Sequence, residues 1–208
     1  VFGAYAFASK LYGGWGYDEK TALGEDRIRE MESMGIGMAL TLSNFYFDET
    51  FYRESLPMLE RLHVEGNMAI VASDKLARHI KQDFPKYRLR ASLVKKLDTL
   101  KKIEKAMALY DDVVVPMDKN DDDRFLESLP EKSRIVLFAN AGCAYTCPKR
   151  TCYLGNSQDI QGRRITGGCS KGKVPREDLG YVAFDLERLR DLGFDNFKVI
   201  PPRTLRIR

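Results

Sequence analysis

The sequence predicts a mainly parallel α/β fold, a TIM-like (β/α) barrel that is complete or lacks one unit. Three observations carry that expectation. Seven short apolar runs are spaced along the chain, amphipathic helical patterns lie between them, and no internal repeat or low-complexity linker interrupts the alternation. A doubly wound open sheet is the alternative, and both architectures gather their chemistry at the carboxyl ends of the strands.

The strand candidates, in order, are residues 1–7, 36–42, 68–73, 89–94, 112–115, 135–139 and 197–200. Most are continuous apolar runs, as expected for strands buried on both faces. The opening Val1-Phe-Gly-Ala-Tyr-Ala-Phe-Ala lacks a preceding basic region and reads as a strand rather than a signal peptide. Between the strands, Leu97, Leu100, Ile103 and Met107 recur at helical spacing, as do Leu186, Leu189 and Leu192, marking core-facing stripes. A helix over 49–64 contains Pro57, where a kink or break is expected. Asp121, Asp122 and Asp123 precede Phe125 and Leu126 and open another helix. His63 and His79 fall beside Arg61, Arg78 and Lys81 and read as solvated surface. Residues 143 to about 179 form the long irregular stretch, the Cys-rich basic loop of residues 141–180 within a single domain spanning 1–208.

With 208 residues, 44% hydrophobic and 31% charged, the chain can bury a core without disulfide staples. No run of 18 apolar residues is present, so no membrane span is expected. A cytoplasmic location is expected, where clustered cysteines more often hold metal than pair with each other.

All four cysteines lie in that one stretch. Three fall in Asn140-Ala-Gly-Cys143-Ala-Tyr-Thr-Cys147-Pro-Lys-Arg-Thr-Cys152, and Cys169 follows in Thr166-Gly-Gly-Cys169. Residues 141–180 also hold seven basic and three acidic side chains, an excess equal to the net charge of +4 of the whole chain. Thiolates select zinc or iron–sulfur clusters. The C-x3-C-x4-C-x16-C spacing lacks the paired knuckles of structural zinc. A cluster tolerates wider spacing, Pro148 directly after Cys147 suits a wrapping loop, and the glycines allow close backbone approach to a bulky group. A 4Fe-4S cluster is therefore the expected cofactor, with Zn as the alternative. The position of Cys143 after about the sixth strand separates the pattern from radical SAM enzymes.

Lys149, Arg150, Arg163 and Arg164 are candidates to bind an anionic group. Polar residues at strand ends, Asn44, Ser73 with Asp74, Ser92 with Lys95, Asp118, Asn140 and Lys198, are candidates to face a substrate. Gly13-Gly14-Trp15-Gly16 is a candidate ligand loop. Nucleophile elbow, P-loop, dinucleotide fingerprint and HExxH motifs are absent, which leaves hydrolase and nucleotide-dependent mechanisms without support.

The segment Asn140-Ala-Gly-Cys143-Ala-Tyr-Thr-Cys147-Pro-Lys-Arg, followed by Arg163-Arg164-Ile-Thr-Gly-Gly-Cys169, resembles the signature region of the collagenase-like peptidase superfamily. Thr41-Leu-Ser-Asn44 and Phe197-Lys-Val-Ile200 are compatible with it. The resemblance implies a TIM-like barrel with a 4Fe-4S cluster, as in members that act in oxygen-independent hydroxylation of ubiquinone precursors and RNA bases. By that resemblance Cys143, Cys147, Cys152 and Cys169 are cluster ligands. The expectation is an iron–sulfur enzyme modifying a small or RNA-derived anionic substrate in a redox reaction, with an unidentified electron donor. A zinc-stabilised binding module using the basic loop is the alternative. A peptidase reading follows from the family name alone.

Overall fold

The computed structural model describes residues 2–5, 9–13, 24–147, 149–170 and 182–200. Seven parallel strands follow one another across a single sheet: β1 (Phe2–Tyr5), β2 (Gly37–Leu42), β3 (Met68–Val71), β4 (Arg88–Ala91), β5 (Asp112–Val114), β6 (Ile135–Phe138) and β9 (Phe197–Lys198). All seven overlap the strand candidates of the sequence. Their order never reverses, and a doubly wound sheet requires a reversal. Right-handed crossovers taken always in the same direction put the helices on one side and curl the sheet. The result is the incomplete barrel form of the α/β fold. Among the described residues β1 and β9 are unpaired with each other.

The helices α1 (Glu25–Ser33), α2 (Glu49–Arg61), α3 (Asp74–Asp83), α4 (Leu100–Met107), α5 (Asp123–Glu127) and α7 (Leu186–Asp191) cover the outer face. Their apolar stripes, including Ile28, Met31, Tyr52, Leu59, Leu76, Ile80, Ile103 and Leu189, pack on Leu40, Val71, Leu89, Val113 and Leu137 of the sheet. The concave face holds a separate small cluster of Ala39, Met68 and Ile70. No described helix is long and apolar enough to cross a membrane.

Local signals explain the helix starts. Asp48 caps α2 through Thr50 N–H, Ser73 caps α3 through Leu76 N–H, and Asp122 caps α5 through Phe125 N–H. Of the kink or break expected at Pro57, the break does not occur, and α2 is one helix through that residue. Pro57 is exposed, so the carbonyl that loses its helical donor can be met by water. The two histidines also depart from a solvated reading. His63 is half-buried against Phe84 and Tyr87 and accepts Lys86 N–H at 2.9 Å, while His79 stacks on Phe47 at 5.1 Å.

The connection from β6 to β9 departs most from the sequence reading. It contains a short antiparallel pair, β7 (Asn140–Ala141) with β8 (Val182–Ala183), and a nine-residue helix, α6 (Cys152–Ile160), where an irregular loop was expected. Its buried residues are Gly155, Ser157 and Gln158, so α6 docks by hydrogen bonds and close backbone contact and carries no apolar stripe.

Candidate functional site

The cysteine segment begins where β7 ends and is held by Arg150. The Arg150 backbone lies in the left-handed region, φ +52°, and its N–H donates to Cys147 Sγ at 3.3 Å. Its guanidinium, 9% exposed, donates to Ala144 O at 3.1 Å and pairs with Asp118 after β5. Cys147 Sγ also lies 3.1 Å from Ser170 Oγ. Cys143 and Cys169 are exposed, and Cys147 and Cys152 are partly buried.

Cys152 opens α6, and residues 163–170 fold back along this helix. Gln158 accepts Thr166 N–H at 2.7 Å, and Thr151 Oγ1 donates to Gly168 O at 2.8 Å. A Cβ at Gly155 would lie 1.8 Å from Gly167 O, and one at Gly167 would lie 2.4 Å from Thr151 O. Only two glycines allow this approach. The return segment thereby carries Cys169 back to the first turn of α6.

Electrostatics register the convergence. The Cys152 thiol is pushed up first by burial and then by Cys147, Cys143 and Cys169. Neighbouring Tyr153 is pushed up to about 12, by burial first and then by Cys152 and Cys143, with Arg150 opposing. Cys143, Cys147 and Cys169 therefore each lie within electrostatic reach of Cys152, which sits at a helix N-terminus that favours negative charge. Among the described residues, however, no three His, Cys, Asp or Glu side chains are grouped to hold a single metal ion. One tetrahedral zinc draws its sulfurs to about 3.8 Å from each other, given its Zn–S bonds.

The body of α6 crosses to the loops after β1 and β2. Asn156 donates to Gly13 O at 3.1 Å, Ser157 Oγ accepts Phe45 N–H at 3.1 Å, and Gln161 donates to Tyr46 O at 3.0 Å. The helix thus spans the mouth of the half-barrel, from the β6 rim to the β1–β2 rim.

Several strand-end candidates have structural hydrogen-bond partners. Asn44, 1% exposed, uses its amide on Lys10 O, Tyr12 O and Ser157 O and accepts Tyr46 N–H. Ser73 is spent as a helix cap. Asn140 both donates to Ile200 O and accepts Ile200 N–H at 2.7 Å. Gly13 serves close packing, since a Cβ there would meet Ser43 O at 2.1 Å. Residues 14–16, Pro148 and the basic residues at 171, 173 and 176 lie outside the described residues. Arg150 and Asp118 brace each other. Arg163 stacks on Tyr46 at 5.0 Å and reaches Asp48 at 3.4 Å. Lys149 and Arg164 are exposed. Lys198 lies on the inner face of the sheet, apart from the cysteines in sequence.

Sequence reading missed the charged residues of that inner face. Asp112, fully buried, accepts from Arg88 at 2.5 Å and from Arg90 at 2.9 Å. The signal was the alternation Arg88-Leu-Arg90-Ala in β4, which places both cations on one face.

No family model and no curated protein matches the chain. Among solved structures, it is similar to that of the U32 peptidase Mk0906, with a TM-score of 0.64 at 13% identity over 96% of this chain and 84% of the other. That likeness supports the half-barrel architecture.

Proposed function

We propose that this chain is an iron–sulfur enzyme of the collagenase-like peptidase superfamily, carrying out an oxygen-independent redox modification of an anionic small-molecule or nucleic-acid-derived substrate. What supports the proposal is that Cys143, Cys147 and Cys169 each bear electrostatically on Cys152 at the first turn of α6, and that residues 166–168 are held against that turn. The donor set suits a 4Fe-4S cluster. Its four thiolates bind four different irons, so they need a wider shell than one zinc ion, and among the described residues no three ligating side chains are grouped as a single metal ion requires. When bound, such a cluster supplies electron transfer at a potential tuned by hydrogen bonds to sulfur and by exposure.

The chain's own residues have definite tasks in this reading. Arg150 N–H donates to Cys147 Sγ, offsetting thiolate charge. The N-terminus of α6 adds a favourable field at Cys152. Tyr153 keeps its phenolic proton at neutral pH and can donate it as a hydrogen bond. Exposed Lys149 and Arg164 attract an anionic group, and α6 restricts water at the mouth.

The test is a set of single Cys→Ala variants purified without oxygen. Loss of iron from all four supports the ligand set. Full iron content in Cys169→Ala would remove that residue from it. The zinc-module reading predicts instead one zinc per chain and salt-dependent RNA binding through the basic segment. The peptidase reading has no nucleophile–base pair behind it in the sequence.

A further inference from the structure

Among the described residues, the inner face of the sheet carries more positive charge than it neutralises. In β9, Phe197 turns toward the outer layer, where Arg190 of α7 lies 5.5 Å from its ring centre. The next residue, Lys198, therefore points to the concave side. In β4, Leu89 and Ala91 belong to the outer core, so Arg88 and Arg90 also face inward. Asp112, in register with Arg90, is held between the two arginines.

Asp112 is fully committed. Its Oδ1 accepts from Arg88 Nη2, while its Oδ2 accepts from Arg88 Nε at 3.0 Å and from Arg90 Nε and Nη2 at 3.2 and 2.9 Å. Arg90 is only 12% exposed, and its Nη1 has no partner among the described residues. Neither has the ammonium of Lys198, which burial and the charge of Arg90 disfavour. A cation drawn out of water without an anion is costly, and an anion supplied from outside would remove that cost. The placement suits a ligand. Lys198 is level with Phe138, at the carboxyl end of the strand that leads to Cys143.

We propose that the concave face carries an oxyanion site in which the Lys198 ammonium and the Nη1 edge of Arg90 hold the carboxylate or phosphate of a small-molecule ligand. The planar guanidinium fixes the orientation of the oxyanion, and the ammonium adds a compact charge. The site stands independently of what the cysteines hold.

Calorimetric titration at constant ionic strength tests this, with inorganic phosphate in one arm and acetate in the other. The native protein binds at least one of them, and the preferred anion identifies the ligand class. Lys198→Met weakens that binding by about tenfold or more, as expected for a charged hydrogen bond, and Lys198→Arg retains most of it. Iron content is unchanged in both variants, which separates this outcome from failure of the cluster reading. Binding of neither anion to the native protein, or equal binding by Lys198→Met, overturns the proposal. A variant-free check is the Lys198 13Cε resonance of the native protein. It shifts on saturation with the bound anion, and an unmoved resonance also overturns the proposal.

Discussion

Replacing Gly155 by Ala probes the contact that holds the return segment, and with it Cys169, against the first turn of α6. The added Cβ would lie 1.8 Å from Gly167 O, whereas real Cβ atoms stay beyond 3.0 Å, so the return segment must retreat by about 1.2 Å. The obstacle is backbone, which cannot swing aside as a flexible side chain would. Overpacking of this kind costs about 1–3 kcal/mol. A contact this short belongs at the upper end of that range. Alanine also gains about 1 kcal/mol over glycine inside a helix. The net destabilisation is then about 1–2 kcal/mol, a fall in Tm of roughly 2–8 °C for a domain of this size.

The control is Gly168→Ala, where an added Cβ meets nothing within 4 Å. Thermal melts of the two variants, with iron content measured on the same samples, give the comparison. Gly155→Ala lowers both Tm and iron content, and Gly168→Ala lowers neither. Equal Tm and equal iron content in Gly155→Ala would refute the claim that the Gly155–Gly167 contact carries Cys169 to the site.

Three further predictions follow from the fold. Asp112→Asn leaves Arg90 buried without its counter-charge and lowers the unfolding free energy by about 3–5 kcal/mol in urea titrations; a loss under 1 kcal/mol would mean that water already reaches this pair. Asn44→Ala removes the bonds tying residues 10–12 and α6 together, costing about 1–3 kcal/mol in thermal melts, and an unchanged Tm would show that Asn44 is not a brace. At Asp74, burial raises the carboxyl pKa but the bonds from Lys95 and Tyr110 outweigh it, so the folded value is depressed. Its stabilisation is therefore present above the unfolded value of about 3.9 and is lost as pH falls through the folded one. Because Asp74 is half-exposed, Asp74→Asn costs less than about 1 kcal/mol at pH 7, and the difference from the native protein vanishes in strong acid.

The central strands β2, β3, β5 and β6 were legible because they are covered on both faces or nearly so. Runs such as Met68-Ala-Ile-Val71 and Ile135-Val-Leu-Phe138 announce themselves without alternation. Helix α6 was not legible, because the side it buries is Gly155, Ser157 and Gln158 and its docking depends on polar groups of distant loops. Strand-end positions were readable, but the use made of each side chain was not. Asn44 and Asn140 look like substrate contacts from their places in the sequence, and the structure commits their amides to neighbouring backbone. The cysteine cluster was visible as composition. The placement of Cys169 beside the first turn of α6 depends on a backbone approach between residues 155 and 167, which no local pattern encodes.

The inner face illustrates the converse. Arg88 and Arg90 alternate with apolar residues in a strand that follows the fully apolar β3, and Asp112 opens the next strand. Period-two alternation in the middle of a barrel signals a polar interior, and the excess cation Lys198 arrives from the far end of the sheet.

The central claim is that the four cysteines hold a four-iron cluster. Purification without oxygen, followed by iron and acid-labile sulfide determination and a visible spectrum, tests it most directly. The account predicts about four irons and four sulfides per chain, with a broad absorption band near about 400 nm. A colourless protein carrying one zinc would contradict it.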